Sequence, residues 1–286
     1  MKKIILSVIL LACMQVSYGQ KEGRLGVFSG LYVSYLMNAN DNDWGDFLPT
    51  YKMSGGIEGS YYVTIGKKVG LGITGQAGLW NNGQNYKGAY RDGSEYEAFT
   101  RLKYTKTGLA LNISTNIRRR VAARVFAGAN VGFLSSYQER YEHFRVDDKK
   151  LIVDIKNQDV YYRDQFPEGG KLDEALFEPI AVSTFYGLGF DVKISDDFIF
   201  SLSGRFDMGM GQIEKEFDRN NPNTIKFGGE NARVQDHPAF PSAIKFHGPT
   251  REDLIRQPTT NQSVGVFVGF SYRFYNRDRT DIWYVR

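Results

Sequence analysis

Hydrophobic and polar residues alternate along much of the chain. From 25 to 37, Leu25, Val27, Leu31, Val33 and Tyr35 share one parity, while Gly26, Gly30 and Ser34 share the other. Successive side chains of an extended strand point to opposite faces, so this is the period of a strand with one apolar face. Ser29 interrupts the apolar row. Residues 51–65 repeat the pattern, with Tyr51, Met53, Ile57, Tyr61, Val63 and Ile65 opposed to Lys52, Ser54, Glu58, Ser60 and Thr64. Gly66-Lys67-Lys68 reads as a tight turn. After it, Val69, Leu71, Ile73, Ala77 and Leu79 oppose Gly70, Gly72, Thr74, Gln76 and Gly78.

A fourth strand, about 97–116, is mixed. Leu109, Leu111 and Ile113 have one parity, whereas Leu102 and Tyr104 have the other. A β-bulge near Thr105–Thr107 would reconcile them. Arg118-Arg119-Arg120 falls in the next turn. The fifth strand sets Val125, Ala127, Ala129, Val131 and Phe133 against Arg124, Gly128, Asn130 and Gly132. The sixth, 180–194, and the seventh, from Phe198 to Met210, are joined by Ser195-Asp196-Asp197. The last, 264–275, alternates from Val264 to Phe274.

The pattern therefore predicts eight strands of about 11–15 residues. Soluble strands usually run about 5–6 residues, and a tilted membrane-spanning strand needs about 9–11. Long links at roughly 38–50, 81–96, 138–179 and 212–262 alternate with short turns. Outer-membrane barrels show that asymmetry, with short periplasmic turns and longer outer loops. An even strand number returns the C-terminus to the periplasmic side of the N-terminus. A lipocalin-like soluble barrel also has eight strands, but with an apolar interior and a wet exterior. Strand length, loop asymmetry and a non-apolar face made of glycine and isolated charges favour the membrane. The expected fold class is all-β: an eight-stranded antiparallel up-and-down transmembrane β-barrel with long outer loops.

The barrel is expected over residues 20–286, behind a signal peptide at 1–19. Lys2 and Lys3 precede an apolar run from Ile4 to Ala12, too short to span a bilayer. Ser17-Tyr18-Gly19 places small residues for cleavage before Gln20. The alternative is a lipobox, Leu10-Leu11-Ala12-Cys13, which would lipidate Cys13. A tail, Asn276 to Arg286, follows the closing strand, and its Trp283 and Tyr284 suit a periplasmic membrane interface.

Composition narrows the function classes. The 36 Lys+Arg nearly balance the 32 Asp+Glu, which leaves no broad basic field for nucleic acid. Cys13 is the single cysteine, so neither a disulfide framework nor a multi-cysteine metal site is expected. Glycine (31 residues) and aromatics (14%) suit sheet more than helix.

Several segments resemble the PorT-like outer-membrane β-barrel family of Bacteroidota. They are Val125 to Leu134, the pair Tyr186 to Val192 and Phe200 to Phe206 with its inward arginine, and Val264 to Phe274, which closes on Tyr-Arg-Phe. The resemblance covers the chain after the leader, more clearly after residue 96. The Ile-Pro pair usual in the family's fourth strand is absent here. The resemblance implies a barrel in the outer membrane. A few members serve type IX secretion, but no residue here is diagnostic of that role.

The alternation turns Lys52, Glu58, Arg124, Asp191, Lys193, Arg205, Asp207 and Arg273 inward. Glu58 and Arg205 are expected at similar mid-barrel height, paired, because an unpaired charge there costs several kcal/mol. The structural reading is a salt-bridge plug built on Glu58, Arg124, Asp191, Arg205, Asp207 and Arg273. The functional reading is a proton or solute path. An eight-stranded lumen is filled by side chains, which disfavours a porin. Catalysis needs a nucleophile with a base, or a carboxylate pair. The histidines are His143, His237 and His247, all expected in long links, so no enzyme, cofactor or metal is expected. A zinc site from Asp236, His237 and His247 lacks supporting ligand spacing. Outer-membrane lipid is the expected surrounding. Links 138–179 and 212–262 are the expected surfaces for a protein partner, with a packed lid over the barrel mouth as the alternative for the second.

Overall fold

In the computed structural model the described residues are 21–37, 46–48, 50–65, 69–89, 93, 95–115, 117, 119–144, 150–162, 166–172, 175–215, 224–227, 230–233 and 259–275. The leader, Cys13, His237, His247 and the tail 276–286 lie outside them, as does most of link 212–262.

The strands are β1 (Lys21–Met37), β2 (Asp46–Leu48), β3 (Thr50–Ile65), β4 (Val69–Ala89), β5 (Glu95–Thr115), β6 (Val121–Phe144), β7 (Lys150–Lys156), β8 (Asp159–Tyr162), β9 (Phe166–Leu172), β10 (Ile180–Lys193), β11 (Phe198–Gly209), β12 (Thr224–Phe227), β13 (Glu230–Arg233) and β14 (Thr260–Tyr275). Eight of them close a ring in the order β1-β3-β4-β5-β6-β10-β11-β14, with β14 returning to β1 and every pairing antiparallel. Closure leaves no free edge along the ring. At one end short turns join the strands. At the other, β4, β5 and β6 rise well beyond their neighbours.

The outward row is apolar. On β5, Leu109, Leu111 and Ile113 are 62%, 69% and 53% exposed. Leu25, Val27, Leu31, Met53, Ile57, Leu188 and Val266 are likewise open on their strands. Inward positions are small, polar or aromatic. Where β3 and β4 approach, Gly56 faces Gly78, and a Cβ on Gly56 would stand 2.7 Å from Gly78 Cα. Only glycine fits that approach.

The strands run farther than the apolar alternation suggests. β4 and β5 stay paired up to Ala89 and Glu95, so the link expected over 81–96 is mostly strand. β6 reaches Phe144, which places His143 on a strand opposite Tyr96, not in a loop. The fourth ring strand also keeps one parity throughout: Leu102 and Tyr104 point inward, and Leu109 and Leu111 outward. The bulge expected on it lies on its partner, where Ser135 is the extra residue between Leu134↔Tyr104 and Ser136↔Lys103. The cause is a change of surroundings along the strand. Toward the turns, apolar residues face out. Toward the far end, they face in.

That inversion builds the core. Leu36, Tyr86, Tyr96, Ala98, Leu102, Tyr104, Tyr137 and Tyr141 pack with Val153, Ile155 and Val160 of β7 and β8, and with Leu172, Leu176, Phe177 and Ile213. Phe177 meets Tyr137 edge-on at 5.1 Å, and Tyr137 Oη accepts a hydrogen bond from the Leu176 amide. The segment 175–179 thus folds over the mouth of the ring.

Candidate functional site

Below the apolar cap, the lumen is stacked in polar layers, each held by alternate positions of adjacent strands. The layer nearest the turns is ionic. Arg24 donates through Nε to Glu22 Oε1 at 2.8 Å and through Nη1 to Asp191 Oδ2 at 2.5 Å. Arg273 Nε lies 2.6 Å from Glu22 Oε2. Arg124 Nε lies 3.4 Å from Asp191 Oδ1, which also accepts from Ser201 Oγ at 2.9 Å. Glu22, Arg24, Asp191 and Arg273 are all under 9% exposed. The Arg24 guanidinium covers the Tyr62 ring at 4.3 Å.

Higher in the lumen, Arg205 and Asp207 of β11 form a two-pronged pair, Nε to Oδ2 at 2.8 Å and Nη2 to Oδ1 at 2.6 Å. Arg205 Nη1 donates to Gln76 Oε1 at 2.9 Å, and Gln76 Nε2 to Asn130 Oδ1 at 2.7 Å. The guanidinium lies 3.8 Å from the Phe185 ring centre. Phe28, Tyr32, Trp80 and Phe267 cluster beside it, with Phe267 5.2 Å from the guanidinium. Lys106 is buried with its ammonium 5.9 Å from both the Trp80 and Tyr104 rings.

A cavity of about 40 Å3 separates the two layers, lined in part by Glu58, Thr74, Gln76, Asn112, Arg124 and Arg205. That is room for roughly three water molecules, between these polar groups and the rings of Phe28, Phe126, Phe185 and Phe267. Glu58 reaches into it over Gly269, where a Cβ would stand 3.3 Å from Glu58 Oε1.

The structure therefore brings Arg124, Asp191 and Arg273 into one layer and Arg205 and Asp207 into another. It does not pair Glu58 with Arg205. The two sit on β3 and β11, with β1 and β14 between them. Asp207, two residues along the same wall, takes the guanidinium instead. Among the described residues Glu58 has no direct hydrogen bond, and it stands in the field of Arg124, Asp191, Arg24 and Arg205. Glu22, Arg24 and Lys106 belong to these layers and were not picked out from the sequence. Arg24 shares the parity of Gly26, so extending that row downward finds it. Lys106 was hidden by the bulge assumed at its position. Among the described residues, no three His, Cys, Asp or Glu side chains converge to hold a metal ion.

These features define a closed eight-stranded β-barrel with a filled, ionic lumen and an apolar exterior. No protein-family model matches the chain, and no curated protein is found as a relative. Solved structures are matched over most of its length. The outer membrane protease OmpT from Escherichia coli aligns over 89% of this chain and 97% of its own, at 11% identity and a TM-score of 0.36. The outer membrane protein OprG from Pseudomonas aeruginosa aligns over 90% and 97%, at 12% identity and a TM-score of 0.35. Ail of Yersinia pestis, in complex with the heparin analogue sucrose octasulfate, aligns over 88% and 99%, at 10% identity and a TM-score of 0.28.

Proposed function

We propose that the chain spans the outer membrane as a non-enzymatic, PorT-like barrel and serves as a structural or accessory subunit, meeting a partner at its long-hairpin end. The short turns and both termini then face the periplasm. The observation that carries the membrane reading is the inversion: large apolar side chains face out over the ring, while carboxylates and guanidiniums face in. Soluble monomers rarely expose contiguous apolar patches beyond a few hundred Å2, and the reverse arrangement marks a barrel in lipid. Outer-membrane lipid is then the partner of the belt. The accessory reading is supported by the sheet that continues from β6 through β7, β8 and β9 above the ring, in the region 138–179.

The lumen supports a plug more than a pore, because among the described residues ionic layers and the cap fill it. A narrow proton path is a second reading on one observation, the Glu58 carboxylate facing the small cavity between the layers. Lipid modification is the rival enzymatic reading. It is tested by His143→Ala, His237→Ala and His247→Ala, with unchanged lipid A composition as the expected result. Purification from outer membranes in mild detergent tests the accessory role: the protein should run as part of a larger assembly, and a lone monomer would contradict it.

A further inference from the structure

The outward row of β5 changes character abruptly. Ile113, Leu111 and Leu109 are followed by Thr107 and Thr105, then by Lys103 and Arg101, all exposed. Cross-strand neighbours locate the change. Thr105 is flanked by Leu79 of β4 and Phe133 of β6, which are 63% and 49% exposed. One step on, Lys103 is flanked by Asn81 and Ser136. The first cation thus stands directly above the apolar belt.

Among the described residues neither cation has an acidic partner. The nearby outward acids are engaged elsewhere: Glu97 with Lys87, Glu142 with Arg140, and Asp154 with Gln138. Arg101 instead covers the Phe99 ring at 4.2 Å, and its charge acts on Lys52 of β3. The Thr105 and Ser135 hydroxyls, bonded to each other at 3.1 Å, lie just beneath. The patch is local. The outward rows of β3 and β1 end in Tyr51 and Met37 at this end of the ring, and Met210 follows β11.

We propose that Arg101 and Lys103, seated on the Thr105–Ser135 hydroxyls, dock the phosphate of a phosphorylated glycolipid of the outer leaflet. The inference rests on the membrane reading above. Lipid phosphates concentrate in the layer just beyond the hydrocarbon, where basic side chains bind head groups. Two outward residues on one strand stand roughly 6.8 Å apart along it, so both cations reach one head group. Asn81 and Gln138 lie on either side with their amide nitrogens donating to Met53 O and Asp154, which leaves their amide oxygens to accept from sugar hydroxyls. The acyl chains would lie on Leu79, Leu109, Leu111 and Phe133.

The test uses the full chain in mild detergent, titrated with bisphosphorylated lipid A, its dephosphorylated form and phosphatidylglycerol, with bound lipid counted by native mass spectrometry. Each charge removed should weaken binding about fivefold, so Arg101→Gln with Lys103→Gln should lose roughly 25-fold on lipid A. Lys87→Gln should leave binding unchanged. Equal binding by the double variant, or by the dephosphorylated lipid, overturns the proposal. Equal binding of phosphatidylglycerol overturns the choice of glycolipid. Heat-modifiable migration and insertion into vesicles are read in parallel. Failure of the unaltered chain to insert would sink the membrane reading and this site together, whereas insertion with unchanged binding would sink the site alone.

Discussion

Arg205 and Asp207, two residues apart on β11, hold each other through two parallel hydrogen bonds in the middle of the lumen. Alternate residues of a strand share a face, so one strand supplies both halves of the pair. Both side chains are about 95% buried. Removing one partner of such a pair costs about 3–5 kcal/mol, while replacing both by apolar groups is often near neutral. Asp207→Asn should therefore lower the urea midpoint in detergent micelles more than the joint change of Arg205→Met with Asp207→Leu. A joint variant as unstable as the single one would show that the pair is not what secures Arg205.

The approach of β3 to β4 makes a second prediction. Gly78→Ala places a Cβ 2.7 Å from Gly56 Cα, whereas Gly204→Ala meets nothing within 4 Å. Overpacking typically costs about 1–3 kcal/mol. The first variant should unfold at lower urea than the unaltered chain, and the second should match it. Equal midpoints for all three would contradict the register of β3 on β4.

The filling of the lumen predicts electrical silence. Among the described residues, two ionic layers and the apolar cap occupy the lumen on either side of the small cavity at Glu58. Reconstituted in a planar bilayer, the protein should give no discrete conductance steps at moderate voltage. Regular steps that disappear in Glu58→Gln would favour the path reading over the plug.

Period-2 alternation carried the fold, because in a ring with one apolar face each side chain's direction follows from parity alone. The same rule turns Glu58, Arg124, Asp191, Arg205 and Asp207 inward. Partners were not legible. Parity says that Glu58 and Arg205 both face inward, but cross-barrel distance depends on register and tilt, which leave no local mark. Leu102 and Tyr104 misled for a physical reason. An apolar residue signals contact with something apolar, and at the far end of β5 that something is the cap rather than the surroundings of the ring. The same reversal hid the upper parts of β4 and β6, and with them the strand position of His143.

The central claim is that one strand passes from lipid to water between Thr105 and Lys103. Spin labels at Leu109→Cys, Leu111→Cys, Ile113→Cys, Lys103→Cys and Arg101→Cys, in a chain carrying Cys13→Ser and reconstituted in vesicles, read this directly. Collision with oxygen should dominate at 109, 111 and 113, and collision with a water-soluble nickel chelate at 103 and 101. Nickel reaching 109, 111 and 113 as readily as 101 would contradict the account.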